Sequence, residues 1–398
     1  MIKRILYTLL IMFPVVASAQ INTDRVMAIG RNALYFEDYV LSIQYFNQVI
    51  NAKPYLSDPY FYRGLAKINL DDFQGAESDC SEAIERNPFV VSAYQVRGLA
   101  RIQQNNFAGA IEDYTKALEF DPENIGVWHN MALCRIRQED YKGAKNDLDK
   151  LIAISPRYTK AYLMRGEVDL KQKDTLAAEK DFGKAIEIDR YDADTWASRA
   201  ILRLQQQRYK DAEADFDHAI RLSTRNSGVY INRALARYHQ NNLRGAMSDY
   251  DIALDIDPNN FIGHYNRGLL RAQVGDDNRA IQDFNFVIEM EPDNMMAIFN
   301  RGLLLDQTGD YKGAIKDYST VINEYPNFLL GYQYRAQARR KIGDVKGADA
   351  DEFKVLKAQL DKQNGVDPNK QTADNTENNK TRKKSDKNMN NYRKIVVA

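Results

Sequence analysis

The chain has 398 residues, 44% of them hydrophobic, and its 55 Lys and Arg residues balance its 55 Asp and Glu residues. The balance hides an uneven distribution, because residues 20–360 carry 44 basic and 50 acidic side chains while the two ends are basic. An acidic body of this size offers no electrostatic footprint for nucleic acid, so we expect no nucleic-acid partner.

The first 19 residues have the pattern of a signal peptide. Lys3 and Arg4 form a charged start, residues 5–16 are apolar, and residues 17–19 (ASA) form a small-residue cleavage site. The apolar run is short for a membrane span, so we expect cleavage after Ala19 and no transmembrane span in the mature chain. An uncleaved N-terminal anchor is the alternative. The sequence therefore predicts an exported protein of a bacterial cell, either periplasmic, envelope-associated or secreted.

A pattern of 34 residues then recurs ten times without insertion or deletion between residues 23 and 362. Numbered from the start of each repeat, position 8 is always Gly or Ala, position 20 is Ala except for Ser42, and large residues recur at positions 4 and 24. Positions 4, 8 and 11 share one helical face and positions 17, 20, 24 and 27 share another. Each repeat is therefore predicted to be a helical hairpin that buries its apolar faces by stacking on its neighbours.

This pattern resembles the tetratricopeptide repeat family over residues 23–362. The resemblance implies an all-α fold, an α-solenoid of ten helix-turn-helix repeats. We expect a signal peptide at 1–19, the solenoid at 20–362 and a polar tail at 363–398. The tail should be disordered, because it has too few apolar residues to offset the entropy cost of ordering.

No sequence motif for enzymatic chemistry is present: there is no GxxxxGK[ST], no HExxH and no CxxC. The acidic residues recur with the repeat, as structural residues do, whereas a catalytic pair would occur once. We therefore predict a chain that is not an enzyme, with no catalytic residue, no metal and no cofactor.

The strongest polar pattern is a charge ladder, defined as Arg at position 7 and Asp at position 23. These positions lie on different helices beside packing positions, so we expect partly buried pairs that fix the stacking of helices. Solvated pairs would contribute well under about 1 kcal/mol each. The pattern leaves open whether the pairs form within or between repeats, and repeat 4 breaks it with Met131. The ladder comprises Arg63, Arg97, Arg165, Arg199, Arg233, Arg267, Arg301 and Arg335, with Asp79, Asp113, Asp147, Asp181, Asp215, Asp249, Asp283, Asp317 and Asp351.

The resemblance implies that a ligand binds the concave surface, which first-helix positions 2, 5, 6, 9, 12 and 13 line. Repeats 7–9 place Asn at position 6 and apolar residues beside it. An amide can both donate to and accept from a peptide backbone, so we expect these amides to face solvent and an extended peptide. Packing between repeats is the competing interpretation of the apolar stripe. The predicted groove residues are Asn232, Asn266, Asn300, Ile231, Ile262, Tyr265, Met296, Phe299 and Leu330.

The predicted function is a non-enzymatic scaffold or assembly factor of the cell envelope that binds extended protein segments. Residues 392–398 of the chain itself are a candidate occupant of the groove, in cis or from a neighbouring copy. Two alternatives remain open. The array could deliver substrate to a catalytic domain on a partner or on a missing C-terminal part. It could also be a structural spacer or a homo-oligomer that self-associates through its end repeats.

Overall fold

The computed structural model describes residues 22–222 and 225–365, together with residues 389 and 392–394 near the C-terminus. The predicted signal peptide and residues 366–388 of the tail lie outside the described residues. The described part contains twenty helices and no strand, so the predicted all-α solenoid of ten two-helix repeats is confirmed. The helices are α1 (Thr23–Tyr35), α2 (Tyr39–Ala52), α3 (Asp58–Ile68), α4 (Phe73–Arg86), α5 (Val91–Gln103), α6 (Phe107–Phe120), α7 (Ile125–Arg137), α8 (Tyr141–Ile154), α9 (Thr159–Lys171), α10 (Thr175–Ile188), α11 (Ala193–Gln205), α12 (Tyr209–Arg221), α13 (Ser227–His239), α14 (Leu243–Ile256), α15 (Phe261–Gln273), α16 (Asp277–Met290), α17 (Met295–Thr308), α18 (Tyr311–Glu324), α19 (Leu329–Lys341) and α20 (Val345–Gln363).

The chain divides into two compact units, residues 1–188 and residues 189–398. The first contains helices α1–α10, which are repeats 1–5, and the second contains helices α11–α20, which are repeats 6–10. In each unit the two helices of a repeat pack against each other, and the second helix packs on the first helix of the next repeat.

Each hairpin turns at repeat positions 15 and 16. The residue at position 15 has a left-handed φ in all ten repeats, at 59° to 65° where it is not glycine and at 82° to 95° in Gly275, Gly309 and Gly343. A non-glycine residue in this conformation costs about 1–2 kcal/mol, so the packing of the two helices must impose the turn. Position 16 then caps the second helix, because its Asp or Asn side chain accepts a hydrogen bond from the third backbone N–H after it. Such caps are Asp38, Asp72, Asn106, Asp140, Asp174, Asn242, Asp310 and Asp344.

The small residue at position 8 lets the two helices of a repeat approach closely. A Cβ atom added to Gly166 would lie 2.6 Å from Phe182 Cε1, and one added to Gly98 would lie 2.8 Å from Tyr114 Cε1. The position-24 ring therefore occupies the space that a larger residue at position 8 would need, which explains the paired pattern in the sequence.

The charge ladder forms within repeats. Each of its eight arginines contacts the Asp at position 23 of its own repeat, and the carboxylates are buried. In repeat 7, Arg233 donates from Nε to Asp249 Oδ2 at 2.9 Å and from Nη2 to Asp249 Oδ1 at 2.6 Å, a bidentate geometry that fixes the guanidinium.

In the part of the chain that the structure describes, seven of these eight arginines, all except Arg199, also connect neighbouring repeats. The remaining nitrogen, Nη1, donates to the residue at position 25 of the preceding repeat, as from Arg233 to Asp217 at 2.8 Å and from Arg301 to Asn285 at 2.8 Å. Each of these seven arginines therefore ties its own hairpin internally and holds it in register with the preceding hairpin of the same unit. The acceptors are Asn47, Ser81, Asp149, Asp217, Asp251, Asn285 and Ser319.

A second cation at position 11 shares the buried carboxylate in most repeats. In repeat 4, where Met131 replaces the position-7 arginine, Arg135 Nε lies 2.7 Å from Asp147 Oδ2 and supplies the charge instead. In most repeats two cations, at positions 7 and 11, therefore contact the same carboxylate, and in repeat 4 the position-11 cation alone does so. The position-11 cations are Lys67, Arg101, Arg135, Arg203, Arg237, Arg271 and Arg339.

Candidate peptide-binding groove

The surface lined by the first helices α13, α15, α17 and α19 of repeats 7–10, hereafter the groove, holds part of the C-terminal tail. Met389 is 1% exposed and lies in one hydrophobic cluster with Phe299 and Phe328. Tyr392 packs against the same cluster. Tyr392 belongs to the segment 392–398 that was expected as a candidate occupant of the groove, whereas Met389 lies outside that segment and was not expected there.

Two side chains of the groove bind a main-chain carbonyl of the tail. Tyr265 Oη on α15 donates a hydrogen bond to the carbonyl oxygen of Tyr392 at 2.6 Å. Asn300 Nδ2 on α17 donates to the same oxygen at 2.6 Å and to the carbonyl oxygen of Met296 at 2.9 Å. The bond to Met296 orients the amide, so one N–H points at the tail. Because the acceptor is a main-chain atom, this contact does not depend on a particular side chain.

Phe299 forms the apolar floor beside this carbonyl. Its ring centroid lies 4.8 Å from that of Tyr392 at an interplanar angle of 87°, an edge-to-face contact. It makes a second edge-to-face contact with Phe328 at 5.0 Å and a third with Tyr334 at 5.9 Å. The groove therefore combines two side-chain donors, which bind a main-chain carbonyl, with an aromatic surface that accepts an aromatic side chain.

The hydroxyl of Tyr265 keeps its proton at neutral pH. Burial raises its pKa, and the hydrogen bond from Asn300 opposes that effect only in part. Burial also raises the pKa of Tyr392. Tyr265 is therefore a permanent hydrogen-bond donor near neutral pH, which suits a carbonyl acceptor.

A cavity of about 350 Å³ lies next to the docked segment. The basic side chain of Arg393 forms one of its walls, while the groove supplies the others. A cavity with both amide and apolar walls can receive one further side chain of a bound segment. Its lining residues are Tyr238, Leu269, Ala272, Gln273, Phe284, Asn300, Leu303, Leu304, Gln307 and Arg393.

The prediction that the three asparagine amides face solvent is wrong. Asn232, Asn266 and Asn300 are 1%, 0% and 5% exposed, respectively. In Asn300 the amide is buried because it lies beneath the Tyr392 carbonyl and against Tyr265.

The predicted apolar groove residues divide into two groups. Ile231 is completely buried in a cluster with Tyr250 and Leu270, so at this position the packing interpretation is correct. Tyr265 and Phe299 are buried and contact the tail. The structure places the other three at the surface as half-buried side chains, namely Ile262, Met296 and Leu330.

Sequence reasoning missed several groove residues. Leu269 and Leu303 occupy position 9, Gln273 and Gln307 occupy position 13, and Tyr334 occupies position 6 of repeat 10. Positions 6, 9 and 13 were expected to line the concave surface, so the register already carried this signal. These positions vary in residue type along the chain, so their signal was weaker than that of the asparagine repeated at position 6.

Within the described residues, no group of three or more His, Cys, Asp or Glu side chains is arranged to hold a metal ion. No helix in that part of the chain combines the length and apolar character needed to cross a membrane.

Comparison with known families identifies the repeat. A model described as "Tetratricopeptide repeat" matches residues 198–261 and 265–327, and another with the same description matches residues 125–158 and 159–192. A third, described as "TPR repeat", matches residues 98–134. Together these matches span more than half of the chain. No curated protein matches the sequence.

Three of the solved structures that are similar to this chain illustrate the likeness. The C-terminal part of a TPR repeat-containing protein from Cytophaga hutchinsonii is 18% identical, with 60% of this chain and 97% of that one covered and a TM-score of 0.50. A tetratricopeptide repeat protein from Parabacteroides merdae is 21% identical, with coverages of 63% and 98% and a TM-score of 0.49. PilF from Pseudomonas aeruginosa is 20% identical, with coverages of 51% and 92% and a TM-score of 0.45.

Proposed function

The chain belongs to the tetratricopeptide repeat family, and we propose that it is a non-enzymatic scaffold that binds extended protein segments in the groove. The observation that carries the proposal is the Tyr392 carbonyl, which accepts hydrogen bonds from both Tyr265 and Asn300 at 2.6 Å. Repeats of this architecture form protein–protein interaction scaffolds, and here the groove already holds a peptide segment.

The groove has the two components that recognition of an extended peptide requires. Side-chain groups that hydrogen-bond the main chain of the peptide supply affinity that is independent of its sequence, and a pocket for its side chains supplies specificity. Tyr265 and Asn300 provide the first component, while Phe299 and the adjacent 350 Å³ cavity provide the second. The ligand is therefore a protein segment with an exposed backbone rather than a folded surface.

The proposal places this scaffold at the envelope of a bacterial cell, as an assembly factor. The support is the N-terminal pattern of Lys3, Arg4, the apolar run and the small residues before Gln20. N-terminal sequencing of the protein purified from its native cell should begin at Gln20. Recovery of a chain with Met1 from the cytoplasmic fraction would contradict the proposed location.

Site-specific photocrosslinking tests the binding function directly. A photoreactive benzoylphenylalanine replaces Leu303, which lines the groove, in the full-length chain expressed in its native cell. A matched control carries the same group in place of Lys312, an exposed residue of α18. After irradiation, mass spectrometry maps the crosslinked segments.

We expect the Leu303 probe to capture segments of other proteins, the Lys312 probe to capture none of these, and Asn300→Ala to reduce the yield. Crosslinks at Leu303 that reach only the chain itself would contradict the scaffold function and favour a structural spacer.

A further inference from the structure

The docked segment presents three features that the groove contacts. Its Met389 side chain enters the hydrophobic cluster, its Tyr392 ring meets Phe299, and its Tyr392 carbonyl accepts the two hydrogen bonds. Arg393 follows at the wall of the cavity. These contacts lie where the proposed function places an external ligand, so the segment and a ligand cannot be bound together.

Charge favours this docking. Residues 361–398 carry nine basic and five acidic side chains, whereas residues 20–360 carry 44 basic and 50 acidic ones. A basic segment is therefore attracted to an acidic array, and this attraction is screened as the salt concentration rises.

We propose that the C-terminal segment, which occupies the groove through Met389 and residues 392–394, is an internal competitor in cis that a partner must displace. The proposal rests on the proposed function, because it requires the groove to be the binding site. It also defines the ligand class: a segment with an aromatic residue, an apolar residue three positions earlier and a basic residue directly after it. The Tyr392 N–H donates to the Met389 carbonyl oxygen at 3.2 Å, so the segment binds as a turn.

The connection is long enough for docking in cis. Twenty-three residues separate Gly365, just after α20, from Met389, and a chain of this length spans at most about 80 Å. A tethered segment has an effective concentration on the order of millimolar, so even a weak contact fills the groove for much of the time. The apparent affinity of an external ligand then falls in proportion to the fraction of empty grooves.

A fluorescence-anisotropy titration with a labelled peptide tests the competition. The peptide has the sequence of residues 386–398, DKNMNNYRKIVVA, and a scrambled peptide of the same composition is its control. It is titrated with the full-length chain, with Tyr392→Ala, and with the Tyr392→Ala/Asn300→Ala double variant. Circular dichroism checks that all three are folded, and sedimentation reports their oligomeric state.

Loss of the Tyr392 ring should empty the groove, so we expect Tyr392→Ala to bind the peptide roughly tenfold more tightly than the wild type. The added Asn300→Ala change should weaken that binding again, and all three proteins should sediment as monomers. The scrambled peptide should not distinguish them.

Other outcomes separate this inference from the proposed function. Suppose that wild type and Tyr392→Ala bind the peptide equally well while Asn300→Ala still weakens binding. This result would show that the C-terminal segment does not compete, and the groove would remain the peptide-binding site. A wild-type dimer that Tyr392→Ala dissociates would overturn docking in cis, because the segment would then reach a second copy. No peptide binding by any variant would count against both proposals.

Discussion

Replacing Asp249 by Ala is expected to lower the free energy of unfolding by about 3–5 kcal/mol. The carboxylate is 1% exposed and accepts hydrogen bonds from Arg233 and, at 2.9 Å, from Arg237. Burial alone would lower the pKa of Arg233, but the hydrogen bond and the charge of Asp249 outweigh burial and raise it. Removing the carboxylate leaves two half-buried guanidinium groups without the anion they share, which is a costly arrangement.

Asp251→Ala is the matched control, two residues further along the same helix. Its side chain is 51% exposed and accepts a hydrogen bond from Arg267 Nη1 at 2.8 Å. An exposed pair contributes under about 1 kcal/mol, so we expect a correspondingly small loss. Urea unfolding followed by circular dichroism compares the two variants, and hydrogen exchange locates the effect, since stacked repeats can unfold locally. Equal stability of the two variants would mean that the buried carboxylates do not hold the repeats together.

Phe299→Ala is expected to cost about 3–5 kcal/mol. The ring is completely buried on α17 and contacts Tyr318 of α18 and Phe328, just before α19, with centroid distances of 5.6 and 5.0 Å. Its removal opens a cavity between three helices that cannot all move inward at once. The same change removes the edge-to-face partner of Tyr392, so docking of the tail should also weaken.

Phe353→Ala on α20 controls for the loss of an aromatic side chain. Phe353 is 66% exposed, and surface substitutions usually change stability by no more than about 0.5 kcal/mol. Thermal unfolding of both variants should separate them by several degrees. A Phe299→Ala variant as stable as Phe353→Ala would show that the floor of the groove is not part of the packed core.

The helices and their register could be predicted from the sequence because the determinants are local and recur ten times. Gly or Ala at position 8, Ala at position 20 and a large residue at position 24 fix how two helices of one repeat meet, and Gly166 against Phe182 is an example. The left-handed turn was less apparent, since only three of its ten residues are glycine. Residues such as Lys173 and Gln207 adopt that conformation because the hairpin requires it.

The Arg–Asp pairs of the charge ladder could be predicted from the sequence, but the bonds between repeats could not. Arg at position 7 and Asp at position 23 are uniform in type, so their pairing was visible. The position-25 acceptors were missed because Ser, Asn and Asp all serve there, as Ser81, Asn285 and Asp217 show. Hydrogen-bonding capacity, and not residue type, is what repeats at that position.

Some of the predicted groove residues contact the tail, but the burial of the asparagine amides was not predicted. Burial of Asn300 depends on a carbonyl 92 residues away, and Tyr265 meets the same atom across 127 residues. The spacing of residues within a repeat gives no information about contacts between residues so far apart in the sequence.

We expect Tyr265 and Asn300 to bind the backbone of a peptide, and one titration tests this role. The labelled peptide of residues 386–398 is titrated into two full-length chains, Tyr392→Ala and Tyr392→Ala/Tyr265→Phe/Asn300→Ala. Both chains lack the Tyr392 ring, so their difference reports the groove whether or not the tail competes. Each lost hydrogen bond removes about 1 kcal/mol, so we expect the triple variant to bind roughly thirtyfold more weakly with its fold intact by circular dichroism. Equal affinities in two folded chains would contradict this role and place the binding site elsewhere.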